Sequence, residues 1–131
     1  MEIYPDFEPA GRNLGVVLVE LGRGAEAIEF FRQALERHPA SASLHNNLGN
    51  AYRSLGRLAE AEAEYSRVLE LDPPSADARN NLGALFLDRG DGTRAEVEFR
   101  EAIRLFFVLR RPPRSPVFPF TTLVRSWGAA R

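Results

Sequence analysis

The chain has 131 residues, of which 44% are apolar and 27% charged, and its formal net charge is −1. That is one domain's length, with enough apolar surface for a modest core. The near-zero balance speaks against a general nucleic-acid binder, the absence of cysteine excludes a disulfide framework and thiol chemistry, and no apolar run reaches the length of a membrane span.

The charge is unevenly spread. Up to Arg104, twelve arginines stand against all eighteen acids, a formal balance of −6, while the remaining five arginines sit in a tail without acids. The lack of lysine reads as codon bias in a GC-rich, bacterial source. Met1 to Pro9 is acidic and punctuated by proline, unlike a signal peptide. The compartment is not legible, and a cytoplasmic one is the expectation.

Residues 1–7 hold Pro5, which lies 34 residues before Pro39, and Glu2, which lies 34 before Glu36. They read as the closing corner of an earlier unit; an ordinary N-terminal arm is the other reading. Residues 8–41 come next. A first helix is expected from Glu8 to Leu21, with Pro9 in the first turn, where its missing N–H has no helical partner. Leu14, Val17, Leu18 and Leu21 recur at helical spacing as a buried stripe. Gly22 supplies a left-handed terminator. A second helix follows from about Gly24 to Arg37, with Ala27, Phe31, Ala34 and Leu35 inward, and Pro39 stops it.

Residues 42–75 repeat the plan. Ser41 or Ser43 can cap the first helix. Leu44, Leu48, Ala51, Tyr52 and Leu55 make one apolar face, and Gly49 lets a second helix carrying Ala61 and Tyr65 come close. Residues 76–109 continue it with Leu82, Leu85 and Phe86. A looser turn is expected at Gly90-Asp91-Gly92, then a last helix lined by Val97, Phe99, Ala102, Ile103 and Phe106.

Residues 110–131 change character. Pro112, Pro113, Pro116 and Pro119 exclude a helix there, and nothing resembles the polar capping helix that usually ends a helical array. Val117 to Ser126 resembles the translation of a sequencing-adaptor oligonucleotide, which would make the tail an artefact of read-through. A proline-rich ligand with PxxP spacing from Pro113 to Pro116 and an apolar strap over the last helix are the rival readings.

Compared with itself at an offset of 34, the chain superimposes its landmarks. Leu48-Gly49 falls on Leu14-Gly15 and Leu82-Gly83; Gly56 on Gly22 and Gly90; Ala61 on Ala27 and Ala95; Tyr65 on Phe31 and Phe99; Pro73 on Pro39. A fixed period of this kind is the signature of a solenoid. The unit resembles the tetratricopeptide repeat. The resemblance covers residues 8–109 and departs from the family where a tryptophan-like residue is usual; that position holds Gly11, His45 and Arg79, and weaker packing is expected there. It implies an all-α, right-handed superhelical solenoid of three antiparallel helix pairs.

An asparagine precedes each leucine-glycine, at Asn13, Asn47 and Asn81, with Asn46 and Asn80 beside two of them. The first helices of stacked units line the concave face, so these amides would form a ladder able to hold a peptide backbone by donating and accepting together. The pattern is similar to the asparagine ladder in the repeat domain of the O-linked N-acetylglucosamine transferase. A contribution to helix packing is the plainer reading. In family members that grip a C-terminal carboxylate, the matching groove positions are here Arg12, Val16, Asn47, Asp77 and Asn81. Only Arg12 and Asn47 suit that task, and Asp77 would repel it, so no such clamp is expected. Arg53 and Asn50 are the remaining polar candidates in the central groove, with a solvated face as the plainer account.

His38 and His45 read as surface residues without metal spacing, and Glu60, Glu62 and Glu64 as a charged outer face. No nucleophile elbow or phosphate loop occurs. The expected function is therefore a non-catalytic protein-interaction scaffold. Its groove would bind a peptide or partner helix through Asn13, Asn46, Asn47, Asn50, Arg53, Asn80 and Asn81, with no cofactor, metal, nucleic acid or membrane. The alternative is the targeting array of a larger enzyme, such as a glycosyltransferase or sensor kinase. Self-association through the uncapped last helix is a third expectation.

Overall fold

The computed structural model describes residues 8–110. All its regular structure is helical: α1 (Glu8–Glu20), α2 (Gly24–Arg37), α3 (Ala42–Ser54), α4 (Leu58–Leu71), α5 (Ala76–Asp88) and α6 (Gly92–Arg110). The readings of Met1 to Asp6 and of the tail from Arg111 onward lie outside the described residues.

Each hairpin turns the same way for the same reason. Gly22, Gly56 and Gly90 adopt φ of 74°, 75° and 78°, a left-handed conformation that costs glycine nothing because it has no Cβ. The chain then folds back on the helix it has just left, with Arg23 N–H on Leu18 O (2.7 Å), Arg57 N–H on Tyr52 O (2.9 Å) and Asp91 N–H on Phe86 O (2.8 Å). These are the closing bonds of a Schellman-type end. The third turn is as tight as the others, so the looser turn expected at Gly90-Asp91-Gly92 is not found. Between hairpins, Ser41 Oγ accepts from Leu44 N–H at 3.2 Å and Ser75 Oγ from Ala78 N–H at 3.1 Å, capping α3 and α5.

The hairpins share one core. α1 packs on α2, α3 on α4 and α5 on α6, while α2 meets α3, α4 meets α5, and α1, α3 and α5 touch along the inner side. Small residues permit the close crossings. A Cβ on Gly15, Gly49 or Gly83 would lie 2.0 Å from Phe31, 2.6 Å from Tyr65 or 2.7 Å from Phe99, respectively. Ala27, Ala61 and Ala95 are buried from the other side, and Tyr65 and Phe31 are among the largest fully enclosed side chains.

The stripe expected on α1 is only partly buried. Leu18 is covered, but Leu14 is 37% and Val17 46% exposed, and Leu21 also faces out. Their equivalents Leu48, Ala51, Leu82 and Leu85 are all buried, because α2 and α4 stand against them. No described helix stands against that side of α1. Leu55 is likewise exposed, although it rests beside Gly24. On α6, Val97, Ile103 and Phe106 are exposed for the corresponding reason, whereas Ala102 and Leu105 are buried. Residues 106–110 are helical although α2 and α4 end at the positions matching Leu105; Phe107 stands where Pro39 and Pro73 end the earlier repeats.

The position that departs from the family pattern is not simply weakened. In each hairpin it faces the residue 19 places on. Gly11 faces Phe30, with a Cβ-to-ring distance of 3.4 Å. His45 Nδ1 meets Glu64 Oε2 at 2.6 Å, and Arg79 Nη1 donates to Glu98 Oε2 at 3.0 Å. One column thus holds a small-for-large contact in the first repeat, a histidine–carboxylate hydrogen bond in the second and an ion pair in the third. His45 is accordingly not a surface residue: its side chain is 13% exposed, and its Nε2 also lies 2.9 Å from Pro39 O.

Candidate functional site in the concave groove

Three first helices, α1, α3 and α5, lie side by side and form the floor of the groove. Polar side chains stitch them together. Arg12 Nη2 donates to Ser43 Oγ (3.3 Å) across α1 and α3. Asn81 Nδ2 donates to Asn46 Oδ1 (2.7 Å) across α3 and α5. Arg53 Nε donates to Asp88 Oδ2 (2.6 Å) at the far end of the same seam. Tyr65, from the helix behind, donates its hydroxyl to Asn50 Oδ1 at 2.5 Å. Burial pushes the Tyr65 phenol up to about 12, and nearby Arg53 pulls the other way.

The seven residues expected at the site are therefore not equivalent. Asn46, Asn50, Asn81 and Arg53 already spend hydrogen bonds within the protein, while Asn50 remains exposed and Arg53 half-exposed to solvent. Asn13 and Asn80 are exposed and Asn47 is half-buried. The structure brings together Asn46 with Asn81, and Asn47 with Asn50.

The groove is also divided by chemistry. Between α1 and α3 it opens into a cavity of about 260 Å³ lined by Gly15, Val16, Val19, Glu20, Phe31, Asn47, Asn50 and Ala51. One repeat on, the positions of Val16 and Val19 are held by Asn50 and Arg53; Asn50 accepts from Tyr65 of its own hairpin, and Arg53 closes the seam by donating to Asp88 of α5. Sequence reasoning weighed Val16 only as a failed clamp residue and did not assign Val19 or Glu20. The signal was present: two apolar residues occupy groove positions that are polar in the next repeat. An apolar cavity edged by Asn47 and Asn50 can enclose a small aliphatic side chain and offer an amide to the backbone beside it.

The outer surface is different. A cleft between α2 and α4 is lined by Arg32, Leu35, Glu36, Leu48, Tyr52, Arg57, Glu60 and Glu64. Its charges pair locally: Arg57 with Glu60, and Glu64 with His45. Nearby, Glu62 pairs with Arg89 of the next repeat.

Helix hairpins stacked at a fixed period around one shared core, with an open inner face, define a helical-repeat solenoid. The tetratricopeptide-repeat model matches residues 12–76 and 48–106. The chain belongs to the tetratricopeptide repeat family, and its fold is that family's right-handed superhelix. Among curated proteins none matches. The solved structures it is similar to include the second tetratricopeptide domain of Spaghetti (RPAP3) bound to the HSP90 peptide SRMEEVD. That match has 22% identity and a TM-score of 0.66, over 77% of this chain and 94% of the other. They also include MamA from Desulfovibrio magneticus RS-1, with 22% identity and a TM-score of 0.68, over 81% of this chain and 60% of the other. A further MamA structure is 20% identical with a TM-score of 0.69, over 80% and 61%. The chain spans about three fifths of each MamA chain. At these identities the likeness is one of fold, and membership of the family carries a role in protein–protein interaction.

Proposed function

We propose that the protein is a non-catalytic interaction scaffold whose concave groove holds an extended peptide, seated by one aliphatic side chain in the α1–α3 cavity. The observation that carries this reading is the cavity itself, with Val16 and Val19 on its wall and the Asn47 amide at its edge. Asn13, Asn47 and Asn80 supply the amides that face along the groove. Asn46, Asn50, Arg53 and Asn81 hold the helices in register beneath the ligand. The RPAP3 domain was solved with an acidic peptide. Here Glu20 edges the cavity and the repeats, residues 8–109, carry twelve arginines against sixteen acids, a formal −4, which favours a neutral or basic peptide over an acidic one.

The test is a selection from a random peptide library against the full chain, followed by titration of the selected peptides. Binders should share one Val, Leu or Ile flanked by neutral or basic residues. Val16→Glu should weaken them more than tenfold by filling the cavity with a charge. The pair Asn47→Ala/Asn80→Ala should weaken them at least fivefold, the scale of one lost hydrogen bond of about 1 kcal/mol. Unchanged affinity in Val16→Glu would remove the cavity from the account, and unchanged affinity in the asparagine pair would remove the ladder.

A further inference from the structure

The inner face holds the same seam twice, once between α1 and α3 and once between α3 and α5. Moving the wall of the α1–α3 cavity on by 34 residues puts Arg53 in the place of Val19 and Tyr65 in the place of Phe31. Both exchanges add polar reach. Arg53 extends across the seam to α5, where its Nε donates to Asp88 Oδ2 at 2.6 Å. Val19 has no donor, and the place matching Asp88 on α3 is Ser54, so the first seam carries no such clasp. The Tyr65 hydroxyl donates to Asn50 Oδ1 at 2.5 Å, and Phe31 has no hydroxyl with which to do the same. A further clasp, Asn81 Nδ2 to Asn46 Oδ1 at 2.7 Å, crosses the second seam. The matching places in the first are Asn47 and Arg12, and Arg12 is spent on Ser43.

These differences decide what a ligand can insert. The first seam offers Val16, Val19 and the Phe31 ring around open volume. In the second, the stem of Arg53 lies over the corresponding place. An aliphatic side chain entering there would have to part Arg53 from Asp88 or Tyr65 from Asn50. It could replace neither bond, and Tyr65 is fully enclosed, so its hydroxyl would be left unpaired. A polar side chain resting on the Arg53–Asp88 pair leaves both bonds in place, since these two side chains are 33% and 41% exposed. Packed helices stand about 8–10 Å apart, and an extended chain advances about 3.3 Å per residue. A peptide crossing the floor therefore passes from one seam to the next in about three residues.

We infer that the α3–α5 seam is a shut copy of the α1–α3 cavity, locked by Arg53 and Tyr65, and that the partner is an extended segment with one aliphatic anchor and, about three residues away over α5, a polar residue. The inference rests on the reading of the cavity as the anchor site. It adds a rule of specificity: a second aliphatic residue at that distance gains nothing, because the lock refuses it.

A selected one-anchor peptide is compared with derivatives carrying a second leucine about two to four residues to either side of the anchor. Each is titrated against the full-length wild type and against Arg53→Val/Tyr65→Phe, whose fold circular dichroism and melting verify. The readout is the ratio of two-anchor to one-anchor affinity for each protein, which cancels any general weakening. In the wild type the second leucine should change affinity by less than about threefold at every spacing. In the variant at least one spacing should gain about tenfold, the scale of a buried leucine. A wild type that already gains tenfold, or a folded variant that gains nothing, would overturn the lock. Xenon under pressure makes the same comparison without a peptide, because apolar cavities take it up. It should shift the methyl signals of Val16 and Val19 in both proteins, and those of Ala84 and Leu85, at the second seam, in the variant only. Shifts at Ala84 and Leu85 in the wild type would overturn the lock whether or not the variant folds. No shift at Val16 in the wild type would instead remove the anchor site, and a gain at Ala84 and Leu85 in the variant would still uphold the lock.

Discussion

Gly49 and Tyr65 are two sides of one contact. The absent Cβ on α3 is the space that the ring on α4 fills, at 2.6 Å from where a Cβ would stand. Gly49→Ala should therefore cost about 1–3 kcal/mol of unfolding free energy through overpacking, whereas Gly92→Ala, which meets nothing within 4 Å, should stay within about 0.5 kcal/mol of wild type. Urea titration of both variants measures the difference. The Tyr65 hydroxyl adds a pH dependence. Its folded value is raised from 10.0 to about 12, so the folded state holds the proton more tightly than the unfolded chain. This group's contribution is fully present below pH 10 and is lost as pH rises from 10 towards 12, by about 2–3 kcal/mol in all. Tyr65→Phe should flatten that part of the stability profile. It should cost about 1 kcal/mol near neutral pH for the lost bond to Asn50, since Phe31 and Phe99 already fill the same position in the other repeats. A decline between pH 10 and 12 that is identical in Tyr65→Phe would assign it elsewhere.

At the scale of the helix, sequence decided the ends and neighbours decided the faces. Glycine turns and serine caps stop and start helices through bonds to residues within five places, so they were legible locally. α6 shows the same rule by exception. Without a proline at position 107 nothing local ends it at Leu105, and it continues to Arg110. Phe107→Pro would remove the N–H that bonds back to residue 103 and clash with that carbonyl. The helix should then end near Leu105, as α2 and α4 do at the matching positions. Far-ultraviolet circular dichroism should register the loss of residues 106–110. Stability should move by less than about 1 kcal/mol, because Phe106, Phe107, Val108 and Leu109 are exposed. An unchanged helical signal would mean that the corner is not set by proline.

At the scale of the molecule, each hairpin touches only its neighbours, so stability is close to a sum of hairpin and junction contributions. The first hairpin has one junction and leaves Leu14 and Val17 uncovered; the middle one has two junctions. Hydrogen exchange of the monomer should run fastest in α1 and slowest in α3 and α4, in the order of junctions shared. Slower exchange in α1 than in α3 would contradict a nearest-neighbour description. The groove belongs to this scale too. Its stitches, Asn46 to Asn81 and Arg53 to Asp88, join residues 35 apart. A self-comparison at 34 aligns like with like, and these bonds join one column to the next, so the comparison cannot display them.

The period of 34, the glycine opposite each aromatic ring, the turn glycines and the corner prolines were all in the string of residues. Each is a local or strictly repeated requirement that any copy of the unit must satisfy. The state of Leu14, Val17 and Ile103, the pairing of His45 with Glu64, and the enclosure of the cavity beside Asn47 by Phe31 and Ala51 emerged only from the tertiary structure. Burial and partnership are properties of what stands alongside, and identical positions in a stack differ when one has a neighbour and another has none.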